Sequence, residues 1–71
     1  MQYTVIVEKG PTSWGAYVPD LPGCVAAGAS REEALRLIRD AVEFHVEGLL
    51  QQGEPVPQPN SFSELIEIDA A

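Results

Sequence analysis

The stretch from Ser30 to Gly53 constrains the fold more than any other part of the chain. At 100° per residue, Ala34, Leu35, Leu37, Ile38, Ala41, Val42, His45, Gly48 and Leu49 fall in one arc, with Phe44 and Val46 on its flanks. Glu32, Arg36, Arg39, Asp40, Glu43 and Glu47 fill the opposite side. Ser30 and Glu33 have the spacing of a capping box: the Ser30 hydroxyl accepts from the Glu33 amide, and the Glu33 carboxylate reaches back to the Ser30 amide. Gly53 is a natural stop, with Pro55 just beyond it. The pattern predicts a helix from about Arg31 to Gln52. In a chain of 71 residues this single helix takes almost a third of the sequence. Its apolar arc needs a surface to pack on, and no other segment has helical periodicity, so that surface must be a sheet.

The strands are legible by alternation. Gln2 to Glu8 places Tyr3, Val5 and Val7 on one face and Thr4, Ile6 and Glu8 on the other. Lys9-Gly10-Pro11-Thr12-Ser13 is turn chemistry. Trp14 to Val18 follows, with Trp14, Ala16 and Val18 on one face and Gly15 and Tyr17 on the other. The short link predicts an antiparallel hairpin. Two prolines in Pro19-Asp20-Leu21-Pro22-Gly23 remove ladder donors and exclude a regular strand there. Cys24 to Gly28 reads as a short third strand. After the helix, proline recurs at every second position from Pro55 to Pro59, which makes a stiff, extended spacer. Glu64 to Asp69 reads as a last strand, with Ile66 and Ile68 on one face and Leu65 on the other. The order is β-β-β-α-β in one domain spanning residues 1–71, an α+β layout with the helix on one sheet face.

The formal charge is −7, and more than half of it lies beyond residue 53, where four acids meet no base. A nucleic-acid binder needs a basic face, so direct nucleic-acid binding is not expected. An anionic membrane surface would repel the chain as well, and no segment approaches the roughly 18 apolar residues of a membrane span. The start of the chain lacks a basic stretch followed by an apolar run, and a cytoplasmic protein is expected. A single Cys excludes an internal disulfide and a Cys-built metal site. A core this small rarely supplies more than about 3–5 kcal/mol. A homo-oligomer is therefore expected, a dimer or a multiple of it, meeting through the sheet edge or the helix flank at Phe44 and Val46.

Candidate functional residues divide by chemistry. His45 is the only His and lies within the apolar arc, which favours a buried His with one hydrogen bond over a catalytic base. Cys24 favours packing as a small hydrophobe over reactivity. A two-metal site would need several convergent acids on adjacent elements. The helix acids point away from the apolar arc, leaving only Glu8 and Asp69 at strand ends and no base to hold phosphate. No catalytic residue, metal or cofactor is expected. Trp14 and Tyr17 lie on opposite faces of the second strand, and the one turned from the helix is a candidate interface anchor. The Pro19–Gly23 loop is either a rigid contact loop, with Asp20 as an acidic tip and Leu21 as an apolar one, or a bulge-like device that re-aims the chain. Trp14, Tyr17, Asp20 and Leu21 are thus the candidate partner-binding residues.

The order Gly15-x-Tyr17, Val18-Pro19-Asp20-Leu21-Pro22-Gly23-Cys24, then Gly28-x-Ser30-x-Glu32-Glu33-Ala34, resembles the HicB-like antitoxin family. The helix with Ala41, followed by Gly53-Glu54-x-x-Pro57-x-Pro59, extends the resemblance to about residues 1–68. It implies a partial RNase H-like fold and membership of a toxin–antitoxin pair. The implied partner is a small basic RNase of the HicA type, which the antitoxin binds and blocks by occlusion. Many members carry a C-terminal helix-turn-helix or ribbon-helix-helix that binds the operator; no such module is expected before Ala71. Two alternatives stay open from the residues alone: an oligomeric domain of structural or regulatory role with no toxin, and a metal-dependent nuclease that would use Glu8 and Asp69.

Overall fold

The computed structural model describes residues 1–70. Three strands precede one helix: β1 (Ile6–Lys9), β2 (Trp14–Tyr17), β3 (Val25–Gly28) and α1 (Arg31–Gln51). The strands form one antiparallel sheet in the order β1-β2-β3. Ile6 faces Tyr17 and Lys9 faces Trp14 across the first hairpin, which the Gly10 amide closes by donating to the Ser13 carbonyl at 2.7 Å. Tyr17 faces Val25 and Trp14 faces Gly28 across the second.

This register explains why β1 starts at Ile6 rather than Gln2. Its partner strand ends opposite Ile6, and the chain then turns away at Pro19, so residues 2–5 have no ladder to join on that side. The expected faces do form. Ala16 and Val18 are buried, and Tyr3, Val5, Val7, Trp14 and Ala26 pack on the core from the same side of the sheet.

The capping box is present in shifted form. Ser30 Oγ accepts from the Glu33 amide at 3.1 Å, while Glu33 Oε1 accepts from the Ala29 amide at 2.8 Å rather than from Ser30. At the other end the Glu54 amide donates to the Leu49 carbonyl and the Gly53 amide to the Leu50 carbonyl. This paired closure requires the left-handed backbone that Gly53 adopts at φ 69°. Gly28 is required for a different reason. A Cβ there would lie 2.8 Å from the Ala34 nitrogen, so the end of β3 approaches the first turn of α1 only because no side chain intervenes.

Within the helix, Ala34 and Ile38 are buried, while Leu35, Leu37, Ala41, Val42, His45, Val46, Gly48 and Leu49 are half-buried. A helix of 21 residues is about 31 Å long, and four-residue strands reach only about 14 Å. The C-terminal half of α1 therefore overhangs the sheet. His45 sits in that overhang half-buried, not fully enclosed as expected.

One expected element is missing. Among the described residues there is no fourth strand: residues 62–70 join no ladder and are exposed throughout. Leu65, Ile66 and Ile68 keep 101%, 81% and 78% of their accessible surface. Alternation marked these residues as competent to be a strand, but within this chain nothing pairs with them. Of the expected β-β-β-α-β layout, the three-stranded sheet and the helix form.

Candidate protein-interaction surface

The Pro19–Gly23 segment is a tight connection between β2 and β3. The Val18 amide donates to the Cys24 carbonyl at 3.2 Å, the Leu21 amide to Val18 at 3.1 Å, and the Cys24 amide to Leu21 at 3.0 Å. This closure folds the Leu21 side chain inward, and it is 0% exposed. Leu21 was expected as an apolar contact tip; its side chain is instead core, because the loop doubles back over the open end of the sheet. Cys24 is buried beside it in the same cluster, and burial pushes its thiol pKa up, away from the reactive thiolate.

Asp20 is also turned to an internal use. Its Oδ2 accepts from the amides of Asn60 and Ser61, both at 2.9 Å, and its Oδ1 accepts from the Ser61 hydroxyl at 2.9 Å. These bonds, led by the one from the Ser61 amide, hold its carboxyl below the ordinary aspartate value. The Tyr3 hydroxyl donates to the Pro57 carbonyl, and the Thr4 hydroxyl donates to the Ser61 carbonyl at 2.6 Å. The proline spacer is therefore tied back to the sheet end by side chains from β1's approach and from the β2–β3 loop. The acidic tip expected at Asp20 is a clasp for residues 60 and 61.

Trp14 and Tyr17 separate as the alternation requires. Trp14 is half-buried against the core, and Tyr17 is 40% exposed on the sheet face away from the helix. The register extends this face sideways. Ile6, Tyr17 and Val25 lie directly across from one another on the three strands, and Val25 is exposed too. An apolar row thus crosses the whole uncovered face, with Glu8 exposed two residues along β1. Sequence reasoning found Tyr17 and missed Ile6 and Val25. The available signal was alternation in β3, which sets Val25 and Ala27 opposite Ala26 and Gly28; the register that aligns Val25 with Tyr17 was not legible. Of the two expected oligomer contacts, Phe44 is 80% exposed, while Val46 is half-buried and packs against the core.

Other chemistry finds no assembled site. Among the described residues no three His, Cys, Asp or Glu side chains cluster as a metal would need. Glu8 lies in β1 and Asp69 in the exposed tail. No helix among the described residues is long and apolar enough to cross a membrane. The apolar row on the uncovered sheet face suits contact with a macromolecule.

Comparison with known proteins agrees. Residues 3–70 match the family of HicB-like antitoxins of bacterial toxin–antitoxin systems. The chain is 36% identical over 66 residues to an uncharacterized 14.9 kDa protein of Haemophilus phage HP1, covering 93% of this chain and 50% of the phage protein. It is 31% identical over 72 residues to Antitoxin HicB 2 of Photorhabdus laumondii, covering all of this chain and 52% of that one. The chain thus spans about half the length of these two relatives. Its fold superposes on the crystal structure of the N-terminal domain of Burkholderia pseudomallei antitoxin HicB with a TM-score of 0.78 at 33% identity, covering 87% of this chain and 74% of that one. With nearly every residue inside the match, the same three-stranded sheet and the same helix, this chain belongs to the HicB-like antitoxin family.

Proposed function

We propose that the chain acts in the cytoplasm as an antitoxin that binds a small basic RNase of the HicA type and blocks it by occlusion, with no chemistry on the chain itself. The observation that carries this reading is the family match over residues 3–70. Two physical features support it. A charge of −7 on 71 residues gives a field complementary to that of a basic, RNA-binding partner, which speeds encounter and disfavours acidic competitors. The uncovered sheet face offers an apolar row at Ile6, Tyr17 and Val25 beside the carboxylate of Glu8. Such a row serves as the desolvated centre of a contact, with the acidic residue at its rim.

The test is direct inhibition. Any small basic protein encoded beside this chain is purified and assayed for cleavage of a labelled RNA as this chain is titrated in. Stoichiometric loss of cleavage is expected, and Tyr17→Asp should weaken inhibition at least tenfold while leaving the circular-dichroism spectrum unchanged. Cleavage that continues in the presence of excess chain would overturn the proposal and favour an oligomeric domain without a toxin.

A further inference from the structure

A groove runs along the flank of α1 between the helix and the unpaired N-terminal segment. Its near end is lined by Tyr3, Val5, Leu35 and Val42, and its far end by Val46 and Leu50. It exists because α1 lies chiefly over β3 and β2 and least over β1, leaving the inner side of the β1 edge uncovered. From Leu35 to Leu50 the helix rises about 22 Å. A six-residue strand spans about 20 Å. Residues 2–5, along one wall, join no ladder.

The chain also carries a segment that fits this groove and leaves its own body. The clasp of Asp20 on Asn60 and Ser61 fixes where the tail departs, and every described residue after Ser61 is exposed. The radius of gyration is 14.2 Å, against about 11 Å for a compact chain of this length. The long axis is 52 Å, some 20 Å more than the helix requires. Ile66 and Ile68 share one face of the tail, while Leu65, Glu67 and Asp69 share the other. A tail with the alternation of an amphipathic strand therefore leaves the body without a partner in its own chain.

We propose that residues 64–68 of one copy add as a fourth strand beside residues 2–5 of a second copy, with Ile66 and Ile68 seated in the groove, and that the exchange is reciprocal. The occupant is a second copy because donor and acceptor are both present once on each chain, which is the condition for a closed two-fold contact. Arg39 lines the groove together with Glu43 and Glu47, so the fit of this occupant rests on its apolar face, Ile66 and Ile68, rather than on charge. The extra strand would cover the flank that the small sheet leaves open and would join Val46 to the interface. This inference does not depend on the toxin.

The experiment uses the full-length chain. Light scattering at micromolar concentration should give twice the chain mass. The full-length double variant Ile66→Asp/Ile68→Asp should give the single-chain mass with its helical circular dichroism retained, whereas Glu67→Gln should stay at twice the mass. Mixing a Val5→Cys chain with an Ile66→Cys chain under mild oxidation should yield a cross-linked pair of the two. The proposal is overturned by a single-chain mass for the parent protein. It is equally overturned by a double mass that survives the Ile66→Asp/Ile68→Asp change, or by a Val5→Cys/Ile66→Cys chain that cross-links only within itself.

Discussion

Replacing Leu21 by Ala separates two accounts of the Pro19–Gly23 loop. Leu21 is 0% exposed and, with Ile38, is one of the two largest wholly buried side chains. Burying a leucine removes its methyl groups from water, and truncating it leaves a cavity that the surroundings fill only partly. Comparable leucine-to-alanine changes cost about 2.7–5.0 kcal/mol. A domain of this size has roughly 3–5 kcal/mol to lose. The variant should therefore be largely unfolded, or retain a folded excess smaller by about a hundredfold or more. In thermal terms a loss of about 3 kcal/mol corresponds to a fall in Tm of roughly 12–24 °C for a chain this short. The assay is urea and thermal unfolding followed by circular dichroism at one fixed protein concentration, with Tyr17→Ala as the exposed comparison. A Leu21→Ala protein that unfolds within about 0.5 kcal/mol of the parent would refute the placement of Leu21 in the core and restore it as a surface contact.

Two further outcomes follow from the caps and the clasp. Ser30→Ala removes the acceptor for the Glu33 amide and should cost about 0.5–2 kcal/mol in urea unfolding. The Asp20 clasp should respond to acid. Its carboxyl is held below the ordinary value of 3.8 in the folded state, so its contribution is complete above that value and is lost as pH falls through the lowered folded value. Amide exchange at Asn60 and Ser61 should quicken across that acid window; in Asp20→Asn it should already be fast at neutral pH and vary less there than in the parent once corrected for intrinsic exchange.

Much of the fold was legible because its signals are local. The arc of Ala34, Ile38 and Ala41, the Ser30–Glu33 cap and the Gly53 stop each depend on residues within one or two turns, and the helix ends within a residue of expectation. The alternation that put Trp14, Ala16 and Val18 on one face depends only on the two-residue period of a strand. The candidate surface was less legible. Tyr17 could be set opposite Trp14 by parity, but nothing local told which strand residues would lie beside it. Local signals leave the Pro19–Gly23 loop open between a contact loop, with Asp20 and Leu21 as its tips, and a device that re-aims the chain. The roles of Asp20 and Leu21 depend on residues 40 positions away and on a closure that turns the loop inward.

The sequence by itself determined the helix, the first hairpin, the short third strand, the acidic balance and an alternating apolar pattern at the C-terminal end, since periodicity, turn residues and charge are properties of neighbours. The tertiary structure alone decided which of those elements find partners. Register aligned Ile6, Tyr17 and Val25 into one row. The approach of Gly28 to Ala34 set the helix over β2 and β3 and away from β1. The clasp at Asp20 then fixed where the C-terminal tail leaves the body. Each of these is a choice among long-range pairings whose local energies are alike, and packing of the whole chain resolves it by removing apolar surface from water and satisfying backbone groups.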